Sequence, residues 1–275
     1  MNESNFVADM HTHSLHSHDS ECPVEEMCIS QIEKGTKIFA VTNHCDVYSY
    51  NDYDIYTPLE ECHKAVKLLN KKYGDKCLIL SGVEISEGFW FTDEYKKAHA
   101  LLPYDVIIGS VHCVKYKNLD MAYSKIDFSK LSEKTIYEFL DCYFNDMIEM
   151  LEFMDFDILA HLTCPIRYIN GKYGMGIDLA RFSEKICKIL NMVIEKNIAL
   201  EVNTSSYDIL NDFMPSEEIL KMYYNMGGEL VTLGSDAHIS QNASVNFELA
   251  IKALKKIGFK SICYFKDRKL NKIDI

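Results

Sequence analysis

Short runs of apolar, often β-branched residues alternate along the chain with longer amphipathic stretches. The short runs predict strands that begin near Phe6, Ile38, Cys77, Asp105, Phe156, Ile198, Leu230 and Ser261. Strands that alternate with helices are typical of βα units around a parallel sheet. Seven or eight such units in 275 residues fit a barrel better than an open doubly wound sheet, because no G-x-G-x-x-G motif follows the first strand. The pattern therefore predicts a single α/β domain over residues 1–275.

Two of the amphipathic stretches have specific helical signals. Between Thr135 and Met154, apolar residues recur at helical spacing, and we interpret this stripe as the core-facing side of a helix. The segment Thr57-Pro58-Leu59-Glu60 has the form of a capping box with proline at the first helical position. It predicts a helix that extends to about Tyr73.

Side chains that can bind metals follow the predicted strands, at the point where each strand ends. The first strand leads into two histidines separated by one residue, and residues two apart on an extended chain point to the same side. Other strands end in a histidine, a glutamate or an Asp-x-His pair. In chain order, these residues are His11, His13, His44, Glu84, His112, His161, Asp236 and His238. Because all strands of a parallel barrel end on one face, we expect these side chains to converge.

A metal site explains this repetition better than isolated loop histidines do. A single histidine after a strand is usually a hydrogen-bonded loop residue, but the pattern recurs in six units, and a buried Glu84 would be costly without a cation. Eight or nine ligands exceed what one catalytic zinc uses, so we expect two or three divalent ions. Mixed nitrogen and oxygen donors suit Zn²⁺, Mn²⁺ or Fe²⁺.

The four remaining histidines have weaker signals. His63 and His99 fall inside predicted helices, away from strand ends, and are expected to be surface or hydrogen-bonded residues. His16 and His18 follow the first pair closely, and their role stays open.

Composition and charge narrow the class of protein. No stretch approaches the roughly 18 apolar residues of a membrane span, and the first residues do not form a signal-peptide pattern. A net charge of −12 argues against general affinity for nucleic acid. Ten cysteines without a C-x-x-C pair are expected to be reduced thiols. We therefore expect a cytoplasmic protein that acts on a small molecule, with no nucleic-acid or membrane partner.

Six ordered motifs contain the candidate ligands. They are Asp9-Met10-His11-Thr12-His13, Thr42-Asn43-His44, Gly82-Val83-Glu84, Gly109-Ser110-Val111-His112, Leu159-Ala160-His161 and Gly234-Ser235-Asp236-Ala237-His238. These motifs resemble those of the PHP (polymerase and histidinol phosphatase) family, from residue 9 to about residue 240. The resemblance implies a distorted (β/α)7 TIM-like barrel with a trinuclear metal centre.

The resemblance also implies three sets of ligands. The first metal would be held by His11, His13, Glu84 and Asp236. The second would share Glu84 as a bridge and take His112 and His161. The third would take His44 and His238. Its remaining family ligand lies six residues after the second histidine of the first motif, where this chain has Asp19 with His18 beside it, and the choice between these two stays open.

Within the family, three segments look most like the histidinol-phosphate phosphatase branch. They are Ile108 to His112, His161 with Arg167-Tyr168 six residues later, and Leu200 to Ser205. The resemblance implies hydrolysis of L-histidinol phosphate to L-histidinol and phosphate, a step of histidine biosynthesis, with a metal-bound hydroxide as the nucleophile. Glu84, Asp236 and Arg167 would take part in catalysis, and Arg167 and Tyr168 would bind substrate. The chain departs from the branch at Ser206-Tyr207-Asp208, where relatives often have Gly-Leu-Arg.

Two other functions stay open. A phosphoesterase that acts on a nucleotide or another small phosphate ester would use the same metals. A regulatory or structural metal-binding module without turnover would also use them, but structural sites are usually closed and need fewer ligands.

Overall fold

The computed structural model describes residues 7–117 and 121–275, over which parallel strands alternate with helices. The strands are β1 (Ala8–Thr12), β2 (Ile38–Val41), β3 (His44–Asp46), β4 (Leu78–Ser86), β5 (Val106–Ser110), β6 (Ile158–Leu159), β7 (Ala199–Asn203), β8 (Val231–Gly234), β9 (Ser261–Lys266) and β10 (Lys269–Asp274). The helices are α1 (Val24–Glu33), α2 (Thr57–Tyr73), α3 (Thr92–Ala100), α4 (Glu133–Phe153), α5 (Ser183–Glu195), α6 (Tyr207–Leu210), α7 (Glu217–Asn225) and α8 (Phe247–Ile257). The predicted strand start at Phe6 lies outside the described residues, and the other predicted starts fall within two residues of observed strands.

The main sheet is parallel and follows the order β1-β2-β4-β5-β6-β7-β8. One edge of the long strand β4 pairs with β5 and the other edge has two partners, because the neighbouring strand is interrupted at Thr42-Asn43 between β2 and β3. The first half of β4 pairs with β2 and the second half with β3, where His44 lies opposite Glu84. The interruption thus places two candidate ligands side by side.

The ends of β1 and β8 meet and close the sheet. The backbone N–H of Asp236 donates to the carbonyl of His11 at 2.8 Å, and the N–H of His13 donates to the carbonyl of Ala237 at 2.9 Å. Within the described residues, the parallel strands therefore occupy seven positions around a nearly closed barrel. The predicted fold, a distorted (β/α)7 TIM-like barrel, is confirmed.

Helix α4 packs its apolar stripe into the core, as predicted. The buried members of the stripe are Ile136, Phe139, Leu140, Tyr143, Met147, Met150 and Leu151. The helix begins two residues earlier than the stripe suggested, because the side chain of Ser132 accepts a hydrogen bond from the N–H of Thr135 at 3.1 Å and caps it.

Two local predictions were wrong in part. The strand at Ser261 is not an eighth barrel strand, since β8 already meets β1; it forms an antiparallel hairpin with β10 outside the barrel. Helix α2 has the predicted bounds, but Thr57 does not cap it. Instead, Asp54 Oδ1 accepts hydrogen bonds from the N–H groups of Tyr56 at 2.9 Å and Thr57 at 3.0 Å, because Thr57 is already inside the first turn.

Two expectations from composition can be compared with the structure. All ten cysteines lie in the described ranges, and none of them forms a disulfide. Over the same ranges, the helices are too short or too polar to cross a membrane.

Candidate metal centre

The candidate ligands lie where the parallel strands end, on one face of the barrel. His11 belongs to β1, His44 begins β3 and Glu84 belongs to β4. The others follow closely after β1, β5, β6 and β8. The strand-end pattern of the sequence is therefore what brings these side chains together.

Glu84 lies at the centre of the cluster, and each of its carboxylate oxygens faces different imidazoles. Oε1 lies 3.1 Å from Nε2 of His112 and 3.0 Å from Nε2 of His161. Oε2 lies 2.9 Å from Nδ1 of His44 and 3.3 Å from Nε2 of His11. The side chain is fully buried. A carboxylate placed in this way can bridge two cations.

Asp236 lies beside the Oε2 side of Glu84. Its Oδ1 lies 3.2 Å from Nε2 of His13 and 3.8 Å from Nε2 of His11. Nε2 of His13 is in turn 3.6 Å from Oε2 of Glu84. The four residues that the resemblance assigns to one metal are thus mutual neighbours.

Asp19, rather than His18, faces the last pair of histidines. Oδ2 of Asp19 lies 3.4 Å from Nε2 of His44 and 3.2 Å from Nε2 of His238. The side chain of His18 is 44% exposed, and its Nδ1 lies 3.8 Å from Oδ2 of Asp46. The geometry therefore favours Asp19 for the position that the sequence left open.

Several buried polar atoms of the cluster lie close to one another, but within the described residues none of their contacts has the geometry of a hydrogen bond. They are Nε2 of His11, Nε2 of His13, Nδ1 of His44 and Oε2 of Glu84. Burying such atoms unpaired is costly. Three groups of side chains each offer ligand atoms that lie within 4.8 Å of one another. They are His11, Glu84 and His161; His11, His13 and Asp236; and His13, His44 and His238. Imidazole nitrogens and carboxylate oxygens at these separations fit divalent metal ions.

The electrostatics of the cluster keep its carboxylates ionised. Burial alone would raise the pKa of Glu84, but the imidazoles of His112, His11 and His44 outweigh it and hold that pKa well below its ordinary value. For His44, burial favours the neutral ring, yet Glu84 and Asp19 raise the pKa to about 10. Without metal, protons on His11, His44 and His112, whose pKa values are all raised, thus balance the carboxylates, and a bound cation would replace those protons.

Backbone strain coincides with two candidate ligands. His161 and Asp236 have φ angles of 25° and 50°, in the left-handed region that residues other than glycine adopt at a cost. Such conformations persist where surrounding structure holds them, and they concentrate at functional sites.

A cavity of about 280 Å³ opens beside the cluster, and both Arg167 and Tyr168 line it. Nη1 of Arg167 donates to Oγ of Ser205 at 3.2 Å and lies 4.0 Å from Oδ2 of Asp236. The ring of Tyr168 lies 5.7 Å from the ring of Tyr123, between centroids. The two residues predicted to bind substrate therefore lie on the same face as the candidate ligands.

Three other histidines, at positions 16, 63 and 99, have partners outside the cluster. Nδ1 of His63 is 2.8 Å from Oγ of Ser81. His99 lies 3.2 Å from a carboxylate oxygen of Asp155, and His16 lies 3.9 Å from Glu61. His63 and His99 are thus hydrogen-bonded, as the sequence predicted.

Residues 9–205 match the sequence profile of the PHP domain. The chain belongs to the PHP domain family. This PHP protein is also similar to curated bacterial proteins over nearly its whole length. It is 29% identical over 266 residues to a probable histidinol-phosphatase of Clostridium acetobutylicum. That alignment covers 95% of this chain and 98% of the relative. It is 30% identical over 255 residues to a probable histidinol-phosphatase of Thermotoga maritima, with 92% and 93% covered.

A solved structure has the same fold as this PHP protein. It is histidinol phosphate phosphatase from Lactococcus lactis, which matches with a TM-score of 0.76 at 23% identity over 96% of this chain and 98% of that chain. That crystal structure is a complex with zinc, L-histidinol and phosphate. At this identity, the likeness supports the barrel fold.

The strand-end pattern missed two carboxylates of this PHP site. Oδ1 of Asp46 lies 3.0 Å from Nδ1 of His112, and Oε1 of Glu201 lies 2.6 Å from Nδ1 of His11. Asp46 is two residues after His44 on β3, so the alternation of an extended chain was a usable signal for it. Glu201 is a charged residue within the apolar strand β7, which indicates a partnered buried group but does not identify the partner.

Proposed function

We propose that this PHP protein is a metal-dependent phosphatase that hydrolyses L-histidinol phosphate to L-histidinol and phosphate. The observation that carries the proposal is the convergence of imidazoles on both oxygens of Glu84, beside a cavity that Arg167 lines. Two relatives that cover nearly the whole chain bear the histidinol-phosphatase name, and the Lactococcus lactis structure holds zinc, L-histidinol and phosphate. These likenesses support the choice of substrate.

The proposal includes two to three divalent ions of zinc, manganese or iron, held by three sets of side chains. One set is His11, His13, Glu84 and Asp236. Another is Glu84, His112 and His161. The last is Asp19, His44 and His238. Bound ions of this kind supply a nucleophile from water at neutral pH and offset negative charge on the phosphate and the leaving oxygen.

The chain's own residues would bind and orient the phosphate ester. The guanidinium of Arg167, 4.0 Å from Asp236, can donate two parallel charge-assisted hydrogen bonds to phosphate oxygens. Tyr168 lines the same cavity and would contact the rest of the substrate. Glu84 and Asp236, whose pKa values lie well below their ordinary range, stay ionised and act in catalysis by holding the metals.

A second candidate function has one observation in its favour. After Asn203-Thr204-Ser205, this chain has Ser206-Tyr207-Asp208 and no arginine, unlike the Gly-Leu-Arg of many histidinol phosphatases. A changed substrate site would suit a nucleotide or another small phosphate ester, with the same metal chemistry. The net charge of −12 disfavours long nucleic acid.

Phosphate release separates the two candidates. Purified, zinc-loaded or manganese-loaded protein is assayed with L-histidinol phosphate, a nucleoside monophosphate and an aryl phosphate. We expect kcat/KM to be highest for L-histidinol phosphate. A higher value for the nucleotide would move the assignment to the second candidate, and no phosphate release from any ester would exclude both.

The variant Glu84→Gln tests whether the metals carry the activity. The substitution keeps the shape of the side chain but removes the negative charge shared between two candidate sites, so we expect bound metal to fall and phosphate release nearly to vanish. Elemental analysis alongside the phosphate assay checks both effects. Wild-type metal content and turnover in this variant would exclude Glu84 as a ligand.

A further inference from the structure

Glu201 has a carboxylate whose two oxygens each contact a different candidate metal ligand. Oε1 lies 2.6 Å from Nδ1 of the His11 ring, and Oε2 accepts the backbone N–H of His161 at 2.6 Å. Oε2 also accepts a hydrogen bond from the side-chain amide of Asn203 at 3.2 Å. The side chain is 1% exposed, so water does not compete for these contacts.

The same two histidines face the two oxygens of Glu84. Nε2 of His11 lies 3.3 Å from Oε2 of Glu84, and Nε2 of His161 lies 3.0 Å from Oε1. The carboxylates of Glu201 and Glu84 are thus linked twice, once through the His11 imidazole and once through residue His161. In the assignment above, His11 and His161 belong to different metals.

We propose that Glu201 is a positioning residue shared by two metal sites, because it fixes the His11 imidazole with one oxygen and the His161 backbone with the other. The proposal rests on the proposed metal centre and adds a residue that does not itself touch a metal. A proton held on Nδ1 of His11 leaves Nε2 free as a ligand atom. The contact with the N–H of His161 steadies a residue whose φ is 25°.

The contact requires a carboxylate rather than an amide. Both oxygens of Glu201 accept from N–H donors, whereas a glutamine offers one acceptor and one donor. If the amide nitrogen faced His11, the imidazole would have to accept at Nδ1 and carry its proton on Nε2, where it blocks metal binding. If the amide nitrogen faced His161, two N–H groups would oppose each other.

Gly234 provides the space for this carboxylate. A Cβ added to Gly234 on β8 would overlap Oε1 of Glu201 and lie 2.8 Å from Cβ of His11. An alanine there would have to displace the carboxylate without changing any hydrogen-bonding group. The Gly-Ser-Asp motif therefore needs a glycine at its first position because a larger side chain would collide with the carboxylate, and not because of the backbone conformation there.

Zinc affinity tests the proposal without relying on turnover. Zinc dissociation constants are measured by competition with a chromogenic chelator for the wild type, Glu201→Gln and Gly234→Ala, and thermal unfolding of each metal-free protein is recorded. We expect roughly 10- to 100-fold weaker zinc binding in both variants, the range typical of lost contacts behind metal ligands. Folded variants that bind zinc as tightly as the wild type would overturn the role of Glu201.

Two matched controls separate positioning from general damage. Glu87 is also a buried glutamate, but only its Oε1 accepts backbone N–H groups, from His112 and Cys113, a role that an amide oxygen can fill. Gly109 is also a strand glycine, but a Cβ added there would lie 2.7 Å from the apolar ring of Phe156 and would not meet a carboxylate. We expect Glu87→Gln and Gly109→Ala to change zinc affinity by no more than roughly twofold.

The outcomes distinguish the two proposals. If the wild type binds zinc and Glu201→Gln weakens it no more than Glu87→Gln does, the positioning role is wrong while the metal centre stands. If Glu201→Gln does not fold, Gly234→Ala measured against Gly109→Ala decides in the same way. A wild type that binds no zinc would overturn the metal centre and, with it, the role of Glu201.

Discussion

The buried charge of Glu84 has imidazoles as its ion-pair partners, and no lysine or arginine within the described residues pairs with it. An ionised carboxylate that is buried needs positive charge or several hydrogen-bond donors beside it. Imidazoles can supply that charge as protonated rings, or they can give up their protons and share a metal ion with the carboxylate. At the scale of single residues, this exchange is what distinguishes a metal site from an ordinary buried ion pair.

Arg167 should contribute to substrate binding and not to metal binding. Loss of the hydrogen bonds between a guanidinium and a charged phosphate costs about 1.5–3 kcal/mol of binding free energy. Arg167→Ala should therefore lower kcat/KM by roughly 10- to 150-fold. Arg167→Lys should recover only part of the loss, because lysine cannot make two parallel hydrogen bonds. Steady-state kinetics with L-histidinol phosphate checks both values.

Metal analysis and a second arginine provide the controls. The metal content of Arg167→Ala should equal that of the wild type. Arg181 packs its guanidinium over the ring of Tyr137, 4.3 Å from the centroid, and does not line the cavity. Arg181→Ala should therefore keep wild-type kcat/KM. An Arg167→Ala variant with unchanged kcat/KM would show that this arginine does not contact the substrate.

Asp19 should hold a metal that His16 and His18 do not. Its carboxylate lies between the rings of His44 and His238, so Asp19→Ala should lower bound metal by one ion per chain and leave the others. His16→Ala and His18→Ala should keep the wild-type number. Elemental analysis after dialysis measures the stoichiometry. A larger loss from His18→Ala than from Asp19→Ala would transfer the position to His18.

At the scale of elements, the sequence predicted the strands of the barrel and the stripe of α4 well. Each short apolar run is followed by polar residues, so the ends of strands can be recognised from the sequence alone. The hairpin at Ser261 was not distinguishable from a barrel strand, because its run of apolar residues is similar and only the contact between β8 and β1 excludes it from the barrel. Pairing across the chain is not encoded in local periodicity.

The same limit applies to the site. Ligands at strand ends could be predicted because all parallel strands end on one face. Glu201 could not be assigned, since its partners His11 and His161 are 190 and 40 residues away and only the folded register brings them to its two oxygens. The space at Gly234 is likewise a property of packing between neighbouring strands.

Helix α4 carries a carboxyl group that should make stability depend on pH. Burial, with Glu149 nearby, raises the pKa of Asp146 from 3.8 to about 7. The folded protein therefore binds this proton more tightly than the unfolded chain does, and stability should fall as pH rises from about 4 to 7. Asp146→Asn removes the ionisable group and with it this loss of stability. We expect it to raise the free energy of unfolding at pH 8 by about 1 kcal/mol, which corresponds to a rise in Tm of roughly 2–4 °C.

Calorimetry at two pH values checks the effect. At pH 4, where the carboxyl group is largely protonated in the folded protein, the gain from Asp146→Asn should be small. Glu152→Gln, an exposed change on the same helix, should shift Tm little at either pH. An equal Tm for Asp146→Asn and the wild type at pH 8 would show that the carboxyl group is not strained by burial.

At the scale of the whole molecule, the candidate metals would connect strands on opposite sides of the barrel. Their ligands come from β1, β3 and β4 and from the segments after β5, β6 and β8, so binding should stabilise the entire fold. Zinc at about 100 times its dissociation constant should add about 2.7 kcal/mol. Strong chelation should lower Tm and abolish phosphate release, and added Zn²⁺ or Mn²⁺ should restore both. Full activity after complete demetallation would exclude the metal mechanism.

The proposed metal centre requires divalent ions in the space around Glu84. Anomalous diffraction at the zinc edge, from crystals of the zinc-loaded protein, locates those ions directly. We predict peaks at about 2.0–2.2 Å from the oxygens of Glu84, with Nε2 of His112 and His161 at about 2.0–2.1 Å from one of them. Zinc peaks confined to other parts of the molecule, or none within bonding distance of Glu84, would exclude Glu84 as the bridge between two metals.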